Sequence, residues 1–198
     1  MRTTSWIPSY ALLGLATIAL TSGSAVTAVA TPVDVDLVRD VQRTVNQYAY
    51  FTVFDDVSVI FHTEDGDEGV VTLTGSVTNP KKKTDLERRV GSVDSVLEVR
   101  NEIEVLPAST FDNGLRYRLA RAIYGNSAFW QYAARRHPPI HIVVNRGHVT
   151  LTGVADTETD RALARVLAGQ FGAFSVTNEL ALPSTLAEEL ERQEAAGQ

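Results

Sequence analysis

The sequence predicts an α+β (α/β) chain of two tandem αββαβ domains, each a three-stranded mixed sheet with two helices on one face. Three observations carry that prediction. The pentapeptide VTLTG occurs at Val71 to Gly75 and again at Val149 to Gly153, an offset of 78 residues. The same offset carries Leu37, Val41 and Val45 onto Leu115, Leu119 and Ile123, an apolar helical stripe ahead of each pentapeptide. Downstream, Val99, Asn101, Glu102 and Ile103 fall on Val176, Asn178, Glu179 and Leu180 once one residue is dropped. Self-similarity at a fixed offset marks a duplicated unit. The divisions that follow are residues 1–30 as a signal peptide, 33–107 and 111–183 as the two domains, and 184–198 as an acidic tail.

The N-terminus has Arg2 as its only charge, an apolar run from Ala11 to Leu20, and small residues ending in Ala28-Val29-Ala30. Those are the three parts of a secretory signal, with cleavage after Ala30 and a mature chain beginning near Thr31. The alternative is an uncleaved anchor, since Ala11 to Ala30 is about long enough to span a bilayer. Its second half is Ser, Thr, Gly and Ala, too weakly apolar to hold well, so cleavage is the preferred reading.

In the first domain, Leu37, Val41 and Val45 predict a helix from Val35 to Tyr48, with Asp34 and Asp36 near its positive end. Tyr48, Tyr50, Phe51 and Phe54 follow, and in so small a domain such rings are expected to plug the core. Val57, Val59 and Phe61 alternate with Ser58 and Ile60 as one strand, and Val71 and Leu73 belong to its hairpin partner. The loop between them, Thr63 to Glu68, is acidic but lacks the twelve-residue calcium pattern, so a solvated loop is expected. Asn79-Pro80 starts a second helix that continues through Leu86 and Val90. Lys81, Lys82 and Lys83 in its first turn admit an anion site, but a solvated face balanced by Asp85 and Glu87 is preferred. Leu97, Val99, Ile103 and Val105 give the last strand, and Pro107 to Thr110 reads as a linker.

In the second domain Asp112 or Asn113 is the expected cap of a helix bearing Leu115, Leu119 and Ile123, which Gly125-Asn126 interrupts. Phe129, Trp130 and Tyr132 come next, with Arg135 and Arg136 behind them. A turn at Arg146-Gly147 places Val144 opposite Val149 and Ile142 opposite Leu151 on one face, and His141 and His148 on the other. The two histidines are then about 13 Å apart along the ladder, too far to share a metal, and are expected to be solvated. Asp156, Thr157 and Asp160 start a helix with Leu163, Val166 and Leu167 on its buried side. Phe174, Val176, Leu180 and Leu182 build the last strand. Gly75 and Gly153 read as structural glycines, placed where a β-carbon would hinder the turn into the helix. The outer sheet face, with His141, Val143, Thr150 and Thr152, is expected to be open to water, to a partner or to the sister domain.

Helix, two strands ending in V-T-L-T-G, helix, and a strand carrying V-x-N-x-I/L resembles the BON family, the envelope domain named after bacterial osmotically induced and nodulation proteins. The likeness covers Val35 to Val105 and Asn113 to Leu182. It implies a periplasmic, non-enzymatic binding module that contacts anionic phospholipid or an envelope protein. No cofactor, metal or small-molecule substrate is expected, because no catalytic spacing and no phosphate-cradling loop is present. The absence of cysteine removes thiol chemistry and thiolate metal sites. Charge is divided unevenly: residues 33–107 hold 8 basic and 15 acidic residues, residues 108–183 hold 8 and 5, and the tail holds 1 and 4. Only the second domain, at +3, attracts an anionic surface, and an acidic exported chain is a poor fit to nucleic acid. Lipid contact is therefore placed on Phe129, Trp130, Tyr132, Arg135 and Arg136, while burial of Trp130 in the core remains the alternative.

Overall fold

The computed structural model describes residues 35–62, 69–185 and 192. The expected signal peptide, the acidic loop and the tail beyond Thr185, apart from residue 192, lie outside the described residues. The first domain runs α1 (Val35–Asn46), β1 (Asp56–Phe61), β2 (Val70–Val77), α2 (Pro80–Val90), β3 (Glu98–Asn101) and β4 (Glu104–Val105). The second runs α3 (Thr110–Tyr124), a 3-10 turn (Ser127–Phe129), α4 (Trp130–Ala133), β5 (Ile140–Asn145), β6 (His148–Gly153), α5 (Glu158–Ala168) and β7 (Ser175–Asn178).

Each domain is a mixed sheet. Strands β1 and β2 pair antiparallel, and β3 and β4 lie parallel to β2 because a helical crossover returns the chain in the same direction. The second sheet has the order β5-β6-β7 with the same senses. Val144 faces Val149, Ile142 faces Leu151 and Asn145 faces His148. That register follows from the turn: Arg146 (φ 51°) and Gly147 (φ 79°) both sit at positive φ, as a two-residue hairpin turn that matches strand twist requires. The cores form where the helical stripes meet the sheets. Leu37, Val41 and Val45 cover Val71 and Leu73 in one domain, and Leu115, Leu119 and Ile123 cover Val149 and Leu151 in the other.

Several sequence expectations change here. Helix α1 stops at Asn46, and Tyr48 follows it as the buried plug. Helix α3 is capped by Ser109, whose hydroxyl accepts from Asp112 N–H, so Thr110 is helical rather than linker. Asp112 turns inward, and its carboxylate receives the N–H groups of Arg146 and Gly147, which ties the helix start to the hairpin turn. Arg116, expected among the polar positions, is buried and donates to Val144 O and Asn113 Oδ1. On α5 the deepest residues are Ala164 and Ala168, flanked by half-buried Leu163 and Leu167, while Val166 is exposed. Two alanines let that helix approach the sheet closely, and the centre of the packed stripe therefore falls one residue away from the bulky pattern.

The last strands also differ. Leu97 and Phe174 are exposed just ahead of β3 and β7, and each donates its N–H to the glycine carbonyl of the hairpin loop, Gly69 and Gly147. The first domain's last strand is split after Asn101. That side chain donates to Lys83 O on α2 and accepts from Ile103 N–H; Asn178 does the same to Arg161 O on α5 and Leu180 N–H. Gly75 (φ 105°) does not end its strand, since β2 continues to Val77. A β-carbon at Gly75 would overlap the carbonyl oxygen of Asp56, and one at Gly153 (φ 97°) that of Pro139. The obstacle is the close approach of the hairpin partner's backbone, not the turn into the helix.

Candidate functional site

The segment after the first helix of each domain carries the residues of interest. In the second domain Gly125 closes α3 and Asn126 Oδ1 accepts from Ala128 N–H, which opens the 3-10 turn. Phe129 then enters the core, Trp130 emerges with 69% of its surface exposed, and Tyr132 is buried again. The Tyr132 hydroxyl donates to Asp160 Oδ2 at 2.8 Å and accepts from Asp156 N–H at 2.7 Å. Burial is the main cause that pushes this phenol up to about 12. With its ring 5.5 Å from that of Phe129, it pins α4 from below.

Of the five residues placed on this site from sequence, then, Phe129 and Tyr132 form its support and Trp130 forms its surface. Arg135 donates to Asp156 at 2.6 Å and lies 5.2 Å from the Tyr132 ring, so much of its charge is already answered. Arg136 is exposed and has no ion-pair partner among the described residues.

The three lysines of α2 do not act together. Lys82 reaches the fully buried carboxylate of Asp55 at 2.5 Å, Lys81 is exposed and Lys83 is half-buried. Asp55 also accepts the N–H and hydroxyl of both Thr52 and Thr78. Burial alone would raise this carboxyl, but the hydrogen bonds from Lys82, Thr78 and Thr52 outweigh it and hold it below its ordinary value. The expected balancing residues are engaged elsewhere: Asp85 accepts from Tyr48 and Arg88, and Glu87 from Asn101.

A seam between the domains went unread in the sequence. Ile142 N–H on the edge strand β5 donates to Val53 O at 2.7 Å, and Phe54 packs into the second core and meets Tyr117 edge-on at 5.5 Å. Asn145 donates to Glu104 across the same face. The outer face of β5 and β6 is consequently not open: Val143 and Thr152 are buried and His141 is half-buried. His141 keeps a buried ring nitrogen, Nδ1, while His148 is exposed and bonded to Ser175. Asp56 lies beside His141 and Thr152 with 8% of its surface exposed. Burial raises its carboxyl, with His141 and Thr152 opposing, and Thr152 Oγ1 still makes no hydrogen bond of normal geometry. Glu179 is raised too, by burial and then by Asp56. A second consecutive aspartate, opening a strand, was the available signal, but its partners His141 and Thr152 lie 85 and 96 residues away.

The model of the BON domain matches residues 64–107 and 128–183, about half of the chain and one segment in each repeat. The chain belongs to the BON domain family. Each matched segment covers the second hairpin strand, the second helix and the last strand, and α1 and α3 lie ahead of them. Among solved structures the chain is similar to CdsD, a structural protein of the type III secretion system of Chlamydia trachomatis, at 16% identity and a TM-score of 0.29, over 79% of this chain and 98% of that one. It is similar also to the C-terminal domain of CdsD, at 20% identity and a TM-score of 0.31, over 79% and 69%. Comparison with curated proteins gives no match. Both BON domains use one internal tie: Tyr48 donates to Asp85 as Tyr132 does to Asp160, and burial pushes each phenol up to about 12.

Proposed function

We propose that this is a non-enzymatic, exported, envelope-associated binding protein whose second BON domain contacts anionic phospholipid through Trp130. The observation that carries the reading is the exposure of Trp130 on a short helix whose two flanking aromatics are locked in the core. A ring held in that way meets a surface without first giving up much conformational freedom. Indole favours the headgroup region, where its apolar body and N–H are both satisfied. Arg136 supplies a cation, and each such charge near an anionic surface adds about 1 kcal/mol. One indole and one or two arginines give weak, reversible, salt-sensitive attachment. Among the described residues no helix is long and apolar enough to cross a membrane. Export to the periplasm rests on the N-terminal processing signal and on the family.

Protein docking is the second reading, favoured by a separate patch at the hairpin-turn end of the same domain. There Phe111 and Phe174 stack at 5.8 Å with 48% and 72% of their surfaces exposed. Sedimentation with vesicles of anionic or zwitterionic lipid separates the two. The lipid reading expects binding to anionic vesicles that Trp130→Ala and Arg136→Ser reduce while the fold persists. Binding unchanged by both substitutions would remove the site from Trp130.

A further inference from the structure

The seam between the domains encloses a cleft of about 570 Å³, within the range of about 300–1,000 Å³ common to small-molecule sites. Its apolar wall comes from Val45 and Phe51, from Val57 and Val59 on β1, and from Pro138 and Pro139 ahead of β5. Six polar side chains share the lining, Gln42, Asn46, Asp55 and Asp56 from one domain and His137 and His141 from the other, and of these Asp56 and His141 meet across the seam. We propose that this cleft binds a small organic cation, a primary ammonium on a short apolar body, with Asp56 and His141 receiving the ammonium group.

Asp56 is more than nine-tenths buried, His141 Nδ1 is buried without a partner, and Thr152 Oγ1, at 1% exposure, lies beside Asp56 without a hydrogen bond of normal geometry. Polar atoms so buried are costly unless something satisfies them. The neighbouring carboxylate, Asp55, cannot serve, because five hydrogen bonds already saturate it. An ammonium carries three donors and a full charge, which suits a carboxylate, an imidazole nitrogen and a hydroxyl. Glu179 stands near Asp56, and this second carboxylate favours a cation over an anionic ligand there. A metal ion fits less well, because among the described residues no three His, Asp or Glu side chains gather as ligands. The apolar walls fit an alkyl chain of a few carbons.

The cation and a proton compete for Asp56. The titratable and charged groups around it are His141 on β5, Glu179 after β7, His137 in the cleft wall, and Asp55, whose charge Lys82 answers. The buried carboxyl holds its proton to a higher pH than usual, so ammonium affinity rises with pH where the affinity of an uncharged analogue does not.

The test is an NMR titration of the full chain with n-pentylammonium and with uncharged 1-pentanol. The expected result is saturable shifts at Phe51, Val57, Val59 and His141, with a preference of about tenfold or more for the ammonium, as a charge-assisted buried contact gives. Asp56→Asn keeps the shape and abolishes the preference. On unaltered protein, ammonium affinity falls as pH is lowered from neutrality towards the ordinary carboxylate range, while that of pentanol stays level. Equal affinity for the two probes, shifts that map elsewhere, or an ammonium affinity independent of pH would overturn the proposal.

Discussion

The segment that follows the first helix serves opposite ends in the two BON domains. In both it drops an aromatic residue into the core and bonds its hydroxyl to an aspartate on the second helix. In the first domain it then turns towards the sister domain, where Val53 caps β5 and Phe54 enters the second core. In the second it winds one extra turn of helix and presents Trp130 to solvent. Duplication thus yields one inward copy and one outward copy of the same device. The surface proposed for lipid contact belongs to the outward copy.

The largest test of equivalence lies in the glycines. Gly75→Ala and Gly153→Ala should each lower unfolding free energy by about 3 kcal/mol or more, because a β-carbon meets backbone at positive φ. A loss below about 1 kcal/mol for either, in denaturant unfolding, would mean that the two hairpins are not built alike. Next come the asparagines. Asn101→Ala and Asn178→Ala should each cost about 1–3 kcal/mol, since each removes one side-chain hydrogen bond to a helix carbonyl and one from the backbone N–H two residues on. Calorimetry that finds one harmless would break the parallel.

The adjacent aspartates sharpen the contrast in the other direction. Asp55 is held below its ordinary 3.8, so its contribution is present above that pH and is lost as pH falls through its folded value. Asp56 is raised above the same 3.8, so its contribution is complete below that pH and is lost as pH rises through its folded value. Asp55→Asn should destabilise the protein at pH 7, whereas Asp56→Asn should stabilise it there and lose that advantage near pH 4. Thermal melts of both variants at the two pH values check the signs. The smallest expected change is in the outward copy: Trp130→Ala should move stability by no more than about 0.5 kcal/mol, because the ring has little packing to lose. Phe54→Ala, at the corresponding inward place, should cost several times more. Similar costs for the two would show that Trp130 is also held by the fold.

Periodicity and turn chemistry made each domain readable on its own. The β5–β6 register followed from a two-residue turn and strict alternation, and the caps at Asn79 and Thr157 followed from side chains that can accept a backbone N–H. What stayed hidden depends on partners far away in sequence. Asp55 and Asp56 are identical neighbours in the chain, and only the approach of Lys82 to one and His141 to the other separates them. Phe54 looked like a plug for its own domain because no local pattern says which core a ring will enter. Trp130 could be narrowed to core or surface, and the choice was made by Phe129 and Tyr132, which fill the available space first.

The hydrogen bond from Ile142 to Val53 has a consequence for the life of the chain before and after folding. Strand β5 is the outer strand of its sheet, and an uncovered row of N–H and C=O groups invites pairing with another molecule. Here a stretch of the same polypeptide occupies that edge, with Asp56 and Lys82 close by to make it unattractive to an intruding strand. Residue 53 also comes before residue 142, so a chain that folds from its N-terminus has the guard in place when the vulnerable strand forms. In the folded chain the first domain thus screens part of an edge of the second.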